Sequence, residues 1–133
     1  MGMNPSSKTK KLLIVDDEEL VRKMVTLWFE REGFSVITAD NGTEGLRLAI
    51  EEKPDVVLLD IMMPGLHGFE VCKKIREQPQ LSKTIIIMTS ARSYKPDLDK
   101  AKELGADDYV IKPSDSGNLL QTVNKHLAKA VRS

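Results

Sequence analysis

Five short apolar runs divide the chain: LLIV (12–15), SVIT (35–38), VVLL (56–59), TIIIM (84–88) and YVI (109–111). Each is short, rich in β-branched residues and bounded by turn formers, as strands buried on both faces of a sheet should be. Segments of helical periodicity separate them. Leu20, Met24, Leu27 and Trp28 recur at i, i+4, i+7 and i+8, which marks one face of a helix. Leu46, Ala49 and Ile50 form a second stripe; Phe69, Cys72 and Ile75 a third; Leu98, Ala101 and Leu104 a fourth; Leu120, Val123 and Leu127 a fifth. The methionines and Trp28 fall mostly on these stripes, where core packing is the expected role. Gly33, Pro54, Pro79 and Gly105 follow the first four helices as stop signals. Successive βα units of this kind dictate an α/β fold, a doubly wound parallel sheet with right-handed crossovers and helices on both faces. Such a sheet binds ligands in the crevice at the carboxyl ends of its strands, where strand order reverses.

Composition narrows the function classes. A length of 133 residues suits one compact domain. Twenty basic residues balance twenty acidic ones, which argues against a chain built mainly to hold nucleic acid or a membrane surface. The lone Cys72 makes neither an internal disulfide nor a multi-cysteine metal site, reads as a small core residue, and fits a cytoplasmic, reducing setting. No apolar run approaches the roughly 20 residues of a membrane span. Residues 1–10, MGMNPSSKTK, lack the apolar stretch of a secretory signal and read as a disordered lead-in to a single domain over 11–133.

The strand ends carry the chemistry. The first run leads into Asp16-Asp17, with Glu18-Glu19 behind them; the third ends on Asp60; the fourth on Thr89-Ser90-Ala91; the fifth on Lys112-Pro113. The second run, to Thr38-Ala39-Asp40, adds nothing comparable. Carboxylates, a hydroxyl and an amine therefore converge on one edge. Clustered acids raise one another's pKa unless a cation intervenes. Hard oxygen ligands suit Mg²⁺, and three acids with one lysine leave a net negative pocket that a divalent ion would balance. Helix capping is the competing role for Asp16 and Asp17, and Asp17 and Glu18 can serve both ends.

In LLIVDDEELVR, VVLLDIMMPGLHGFEVCKKIR, TIIIMTSAR and GADDYVIKP, in this order and spacing, the chain resembles the receiver domain of bacterial two-component response regulators. The likeness runs from about Lys11 to the last helix. It implies a flavodoxin-like (βα)₅ sheet of order 2-1-3-4-5. It also implies that Asp60 is the phosphoacceptor, taking its phosphoryl group from the phosphohistidine of a sensor histidine kinase or histidine phosphotransfer protein. Asp17 matches the direct Mg²⁺ (or Mn²⁺) ligand, Asp16 a ligand acting through coordinated water, and Met62 the position whose backbone carbonyl completes the metal site with Asp60. Lys112 matches the lysine that pairs with a phosphoryl oxygen, across a Lys112–Pro113 bond that is cis in the family. Ser90 matches the hydroxyl that hydrogen-bonds the phosphoryl group, beside the N–H of Ala91. Tyr109 matches the aromatic that follows the hydroxyl inward when the site is phosphorylated.

Met62 and Arg92 occupy the positions that border the phosphoryl group in this family, where a thioether and a guanidinium would shield it and slow its hydrolysis. Two residues depart from the pattern. His67 stands where an acid usually precedes the glycine, and reads as a solvated loop residue. Ser114 replaces the common aromatic after Lys-Pro and reads as the start of the last helix.

The resemblance also implies an output surface formed by the fourth helix, fifth strand and fifth helix, roughly residues 95–131. Lys100, Glu103, Asp107 and Lys125 there would support a symmetric dimer, although such charges are usually just solvated. About 20 residues follow Pro113, enough for one helix, so the chain reads as a stand-alone receiver docking to a protein partner or as one cut from a longer DNA-binding or enzymatic regulator. No direct nucleic-acid or membrane contact is expected of this domain, nor turnover as an enzyme beyond its own phosphorylation and dephosphorylation. The competing class is a metal-dependent phosphatase. Haloacid-dehalogenase-type enzymes want an acid two residues past the nucleophile, and that position is Met62; no P-loop or dinucleotide fingerprint is present.

Overall fold

The computed structural model describes residues 9–112 and 116–132. The Lys112–Pro113 bond, the helix-starting role read for Ser114 and most of the lead-in lie outside them. The elements alternate strictly: β1 Lys11–Val15, α1 Glu19–Arg31, β2 Ser35–Ala39, α2 Gly42–Glu52, β3 Val56–Asp60, α3 Gly68–Arg76, β4 Ile85–Ser90, α4 Lys95–Glu103, β5 Asp108–Ile111 and α5 Ser116–Arg132, with a short 3-10 turn at Pro79–Leu81 before β4. All described strand pairs are parallel, in the order β2-β1-β3-β4-β5. The reversal point lies between β1 and β3.

The period of two along each central strand divides the core. Leu13, Val15, Val57, Leu59, Ile86 and Met88 face α2, α3 and α4. Their neighbours Leu12, Ile14, Val56, Leu58, Ile85 and Ile87 face α1 and α5. A slip of one residue would exchange these sets, so the register is strongly fixed. Cys72 is buried in the first layer, where burial pushes its thiol up to about 11 and its Sγ–H meets the Leu104 carbonyl at 3.7 Å.

Two expectations need correction. β2 is an edge strand with Ser35 and Thr38 exposed, and β5, the other edge, exposes Ile111; only β1, β3 and β4 are buried on both faces. The α1 face is also offset by one residue. The helix packs through Val21, Val25, Trp28 and Phe29, the same i, i+4, i+7, i+8 spacing begun one position later. Leu20 is 70%, Leu27 58% and Met24 39% exposed. Apolar residues run round two faces of this helix, so periodicity alone leaves its rotation undecided. Burial of Val25 and Phe29 in the core fixes it, with Phe29 edge-to-face on Phe34, ring centroids 5.1 Å apart.

At the amino end of the sheet, Arg76 acts as a clasp. Its guanidinium donates to the Gly105 carbonyl at 2.8 Å, the Thr84 carbonyl at 2.7 Å and Asp107 Oδ2 at 2.9 Å. Asp107 in turn accepts from the Ile86 N–H at 2.9 Å. The last turn of α3 is thereby fastened to the starts of β4 and β5.

Candidate functional site

Strand register brings the candidate residues to the opposite, carboxyl end. Val15 pairs with Leu59 and Asp60 with Thr89, so Asp16 and Asp60 follow one another across the reversal point. Ser90 pairs with Ile111, and the Lys112 N–H donates to the Ser90 carbonyl at 2.6 Å, which delivers Lys112 to the same rim. The loop after β1 is held by the Asp16 N–H on the Ala39 carbonyl and by Arg22, whose Nη1 donates to the Asp16 carbonyl at 2.7 Å.

The turn after Asp60 has its own constraint. A Cβ on Gly68 would lie 2.2 Å from the Asp60 carbonyl oxygen, so α3 starts against the backbone of that acid only because residue 68 is glycine. His67 is not a solvated loop residue. It is the N-cap of α3, half-buried, with Nδ1 accepting the Phe69 N–H at 3.2 Å and its ring stacked on Phe69. An imidazole nitrogen supplies the acceptor that a carboxylate would otherwise provide.

Asp60 is 4% and Asp16 2% exposed. Burial, aided by the charges of Asp16 and Asp17 and opposed by Lys112, pushes the Asp60 carboxyl up to about 6. The Lys112 ammonium lies 3.0 Å from Asp16 Oδ2, 3.0 Å from Glu18 Oε1 and 3.4 Å from Asp60 Oδ2. Burial pulls its pKa down, but these acids outweigh it and hold the amine above its ordinary range. Asp16, Asp17 and Glu18 each bring a carboxylate oxygen within 4.8 Å of the others. A donor set of hard, negative oxygens at one rim fits Mg²⁺. The Met62 side chain is 59% exposed, so packing does not dictate its identity and a backbone role is compatible with it.

The hydroxyl side of the site is also assembled. Ser90 is buried at the end of β4, and its Oγ accepts the Arg92 N–H at 3.4 Å. Thr89 is buried beside it, and Ala91 opens the exposed connection to α4. The Tyr109 hydroxyl donates to the Arg92 carbonyl at 3.1 Å, tying β5 to that connection. The Arg92 guanidinium lies over the Tyr94 ring and 3.7 Å from Asp97. On the expected output surface, Asp107 is committed to the Arg76 clasp and Lys125 pairs with Asp108, whose carboxylate also accepts from His126 Nε2 at 2.8 Å.

Sequence reasoning missed the Glu18–Lys112 ion pair and the Arg22 anchor. Both depend on side-chain reach between elements; the only signal was an acid two residues past Asp16. Among the described residues no helix is long and apolar enough to cross a membrane.

Comparison with known proteins agrees with this geometry. The family model described as the response regulator receiver domain matches residues 12–124. The chain is 40% identical over 118 residues to Protein PilH of Pseudomonas aeruginosa, covering 89% of this chain and 98% of that protein. It is 46% identical over 104 residues to the alkaline phosphatase synthesis transcriptional regulatory protein PhoP of Bacillus subtilis, covering 78% of this chain but only 42% of PhoP. Chemotaxis protein CheY4 of Vibrio cholerae superposes with a TM-score of 0.85 at 33% identity, covering 89% of this chain and 98% of CheY4. With its 2-1-3-4-5 sheet and acidic carboxyl-end rim, the chain belongs to the response regulator receiver domain family of two-component phosphorelay signalling.

Proposed function

We propose that this chain takes a phosphoryl group onto Asp60 from the phosphohistidine of a histidine kinase or phosphotransfer protein. The observation that carries the reading is a buried carboxylate beside two further acids and a lysine at the one sheet edge where such folds bind ligands. An Asp60 carboxylate oxygen attacks phosphorus, the P–N bond to the donor imidazole breaks, and the imidazole keeps that electron pair. Hydrolysis later returns the carboxylate as water takes the phosphoryl group.

Phosphoryl transfer asks a protein mainly for positioning and charge stabilisation. Lys112 supplies a cation for a phosphoryl oxygen, Ser90 a hydroxyl donor and Ala91 a backbone N–H. Asp17, Asp16, Asp60 and the Met62 carbonyl would hold Mg²⁺, which supplies charge neutralisation at the phosphoryl oxygens. Met62 can shield the phosphoryl group from water directly, whereas Arg92 must first leave Tyr94 and Asp97. Tyr109 and Ser90 couple the site to the α4–β5–α5 surface, where a protein partner reads the state through a shift between two packings. In this reading the chain is the regulated substrate of a cytoplasmic relay.

The test is an intact-mass measurement after incubation with acetyl phosphate and Mg²⁺. One added phosphoryl group is expected, absent in Asp60→Ala and without the metal. No adduct, with steady phosphate release from unrelated esters, would instead support a hydrolase.

A further inference from the structure

Glu18 sits at the N-cap of α1, yet its side chain makes no capping hydrogen bond. Its N–H donates to Asp16 Oδ1 at 2.9 Å, and its carboxylate reaches across the rim to Lys112 Nζ at 3.0 Å. The ammonium has three N–H donors for three acids. It lies closer to Asp16 and Glu18 than to Asp60, at 3.0, 3.0 and 3.4 Å. The partners differ in what leaving costs. The Asp16 side chain is 3% exposed, so water cannot replace its ion pair; that of Glu18 is 59% exposed, so water can.

We propose that Glu18 is a positioning residue that acts through Lys112. It draws the amine toward Asp16 and itself, leaving Asp60 the longest of the three contacts while the site is unphosphorylated, and releases it when a phosphoryl group arrives. Glu18 thereby sets how tightly the site takes that group. The inference rests on Asp60 being the phosphoacceptor. An arriving phosphoryl group brings one to two negative charges, by the ordinary phosphate pKa of about 6. Lys112 must turn toward it, and Glu18 is the partner that water readily resolvates. The same acid stands within 4.8 Å of Asp16 and Asp17, so a role as a metal ligand is the competing outcome.

Mg²⁺ alone, and then beryllofluoride, a phosphoryl mimic, with Mg²⁺ present, are titrated by calorimetry into the full chain, with wild type, Glu18→Gln and Glu19→Gln compared. Glu19 carries the same charge one residue on but pairs with Lys23 at 2.9 Å. Release of a partly exposed ion pair predicts that Glu18→Gln binds beryllofluoride roughly two- to fivefold tighter, with Mg²⁺ affinity changed less than about threefold. Glu19→Gln should match wild type. An equal gain in Glu19→Gln would mean a general field effect and overturn the proposal, as would no gain in Glu18→Gln. A fall of about tenfold or more in Mg²⁺ affinity would make Glu18 a metal ligand instead. A wild-type chain that binds no beryllofluoride with Mg²⁺ present removes the phosphoacceptor reading, and the role of Glu18 falls with it.

Discussion

Burial pushes the Asp60 carboxyl up to about 6 from its ordinary 3.8, so the folded chain holds that proton where the unfolded chain has released it. Between these values stability falls as pH rises, and above about 6 the whole cost is present. Asp60→Asn removes the titration while keeping the shape. In metal-free buffer it should raise unfolding free energy at neutral pH by ~1–3 kcal/mol, with the gain shrinking as pH falls from about 6 toward 4. Denaturant titrations across that range give the answer, and a gain independent of pH would remove burial of the charge as its cause. The candidate acids, Ser90 and Lys112 were legible in the sequence because each closes an apolar run. Glu18 and His67 were not, because their contacts depend on what a side chain meets after folding: an amine just past β5 in one case, a free helix N–H in the other.

The helices show where periodicity stops deciding. The stripes read from the sequence for α2, α3 and α5 do pack on the sheet, and that of α4 does so through Ala101 and Leu104. α1 carries apolar residues on two faces, and the tertiary packing of Val21, Val25, Trp28 and Phe29 selects one. Substitution distinguishes the faces. Phe29→Ala should cost ~3–5 kcal/mol in thermal or chemical unfolding, the usual range for a buried aromatic. Leu27→Ala should change stability by less than ~0.5 kcal/mol. Equal losses would mean that Leu27 is covered in solution. The strands follow the same logic. β1, β3 and β4 are central and read as continuous apolar runs, while β2 and β5 sit at the edges and owe their half-exposure to strand order, which no single run encodes.

Across the whole molecule, the two ends of the sheet divide the work. The carboxyl end gathers like charges and bears the cost of burying Asp60. The amino end is fastened by neutralised, fully partnered groups, above all Arg76. This clasp joins residues about thirty apart, and it is what ties the start of β5 to α3. In hydrogen-exchange terms, β5 should therefore open as a unit of its own once the clasp is cut. Arg76→Leu should lower protection of the Tyr109 and Val110 amides by about tenfold, the scale of lost charge-assisted hydrogen bonds, while Leu13 and Leu58 keep theirs. Uniform loss over all strands would show that the clasp secures the molecule rather than one strand. The rim farthest from Asp60 then governs how often the strand bearing Tyr109 lets go of its neighbours.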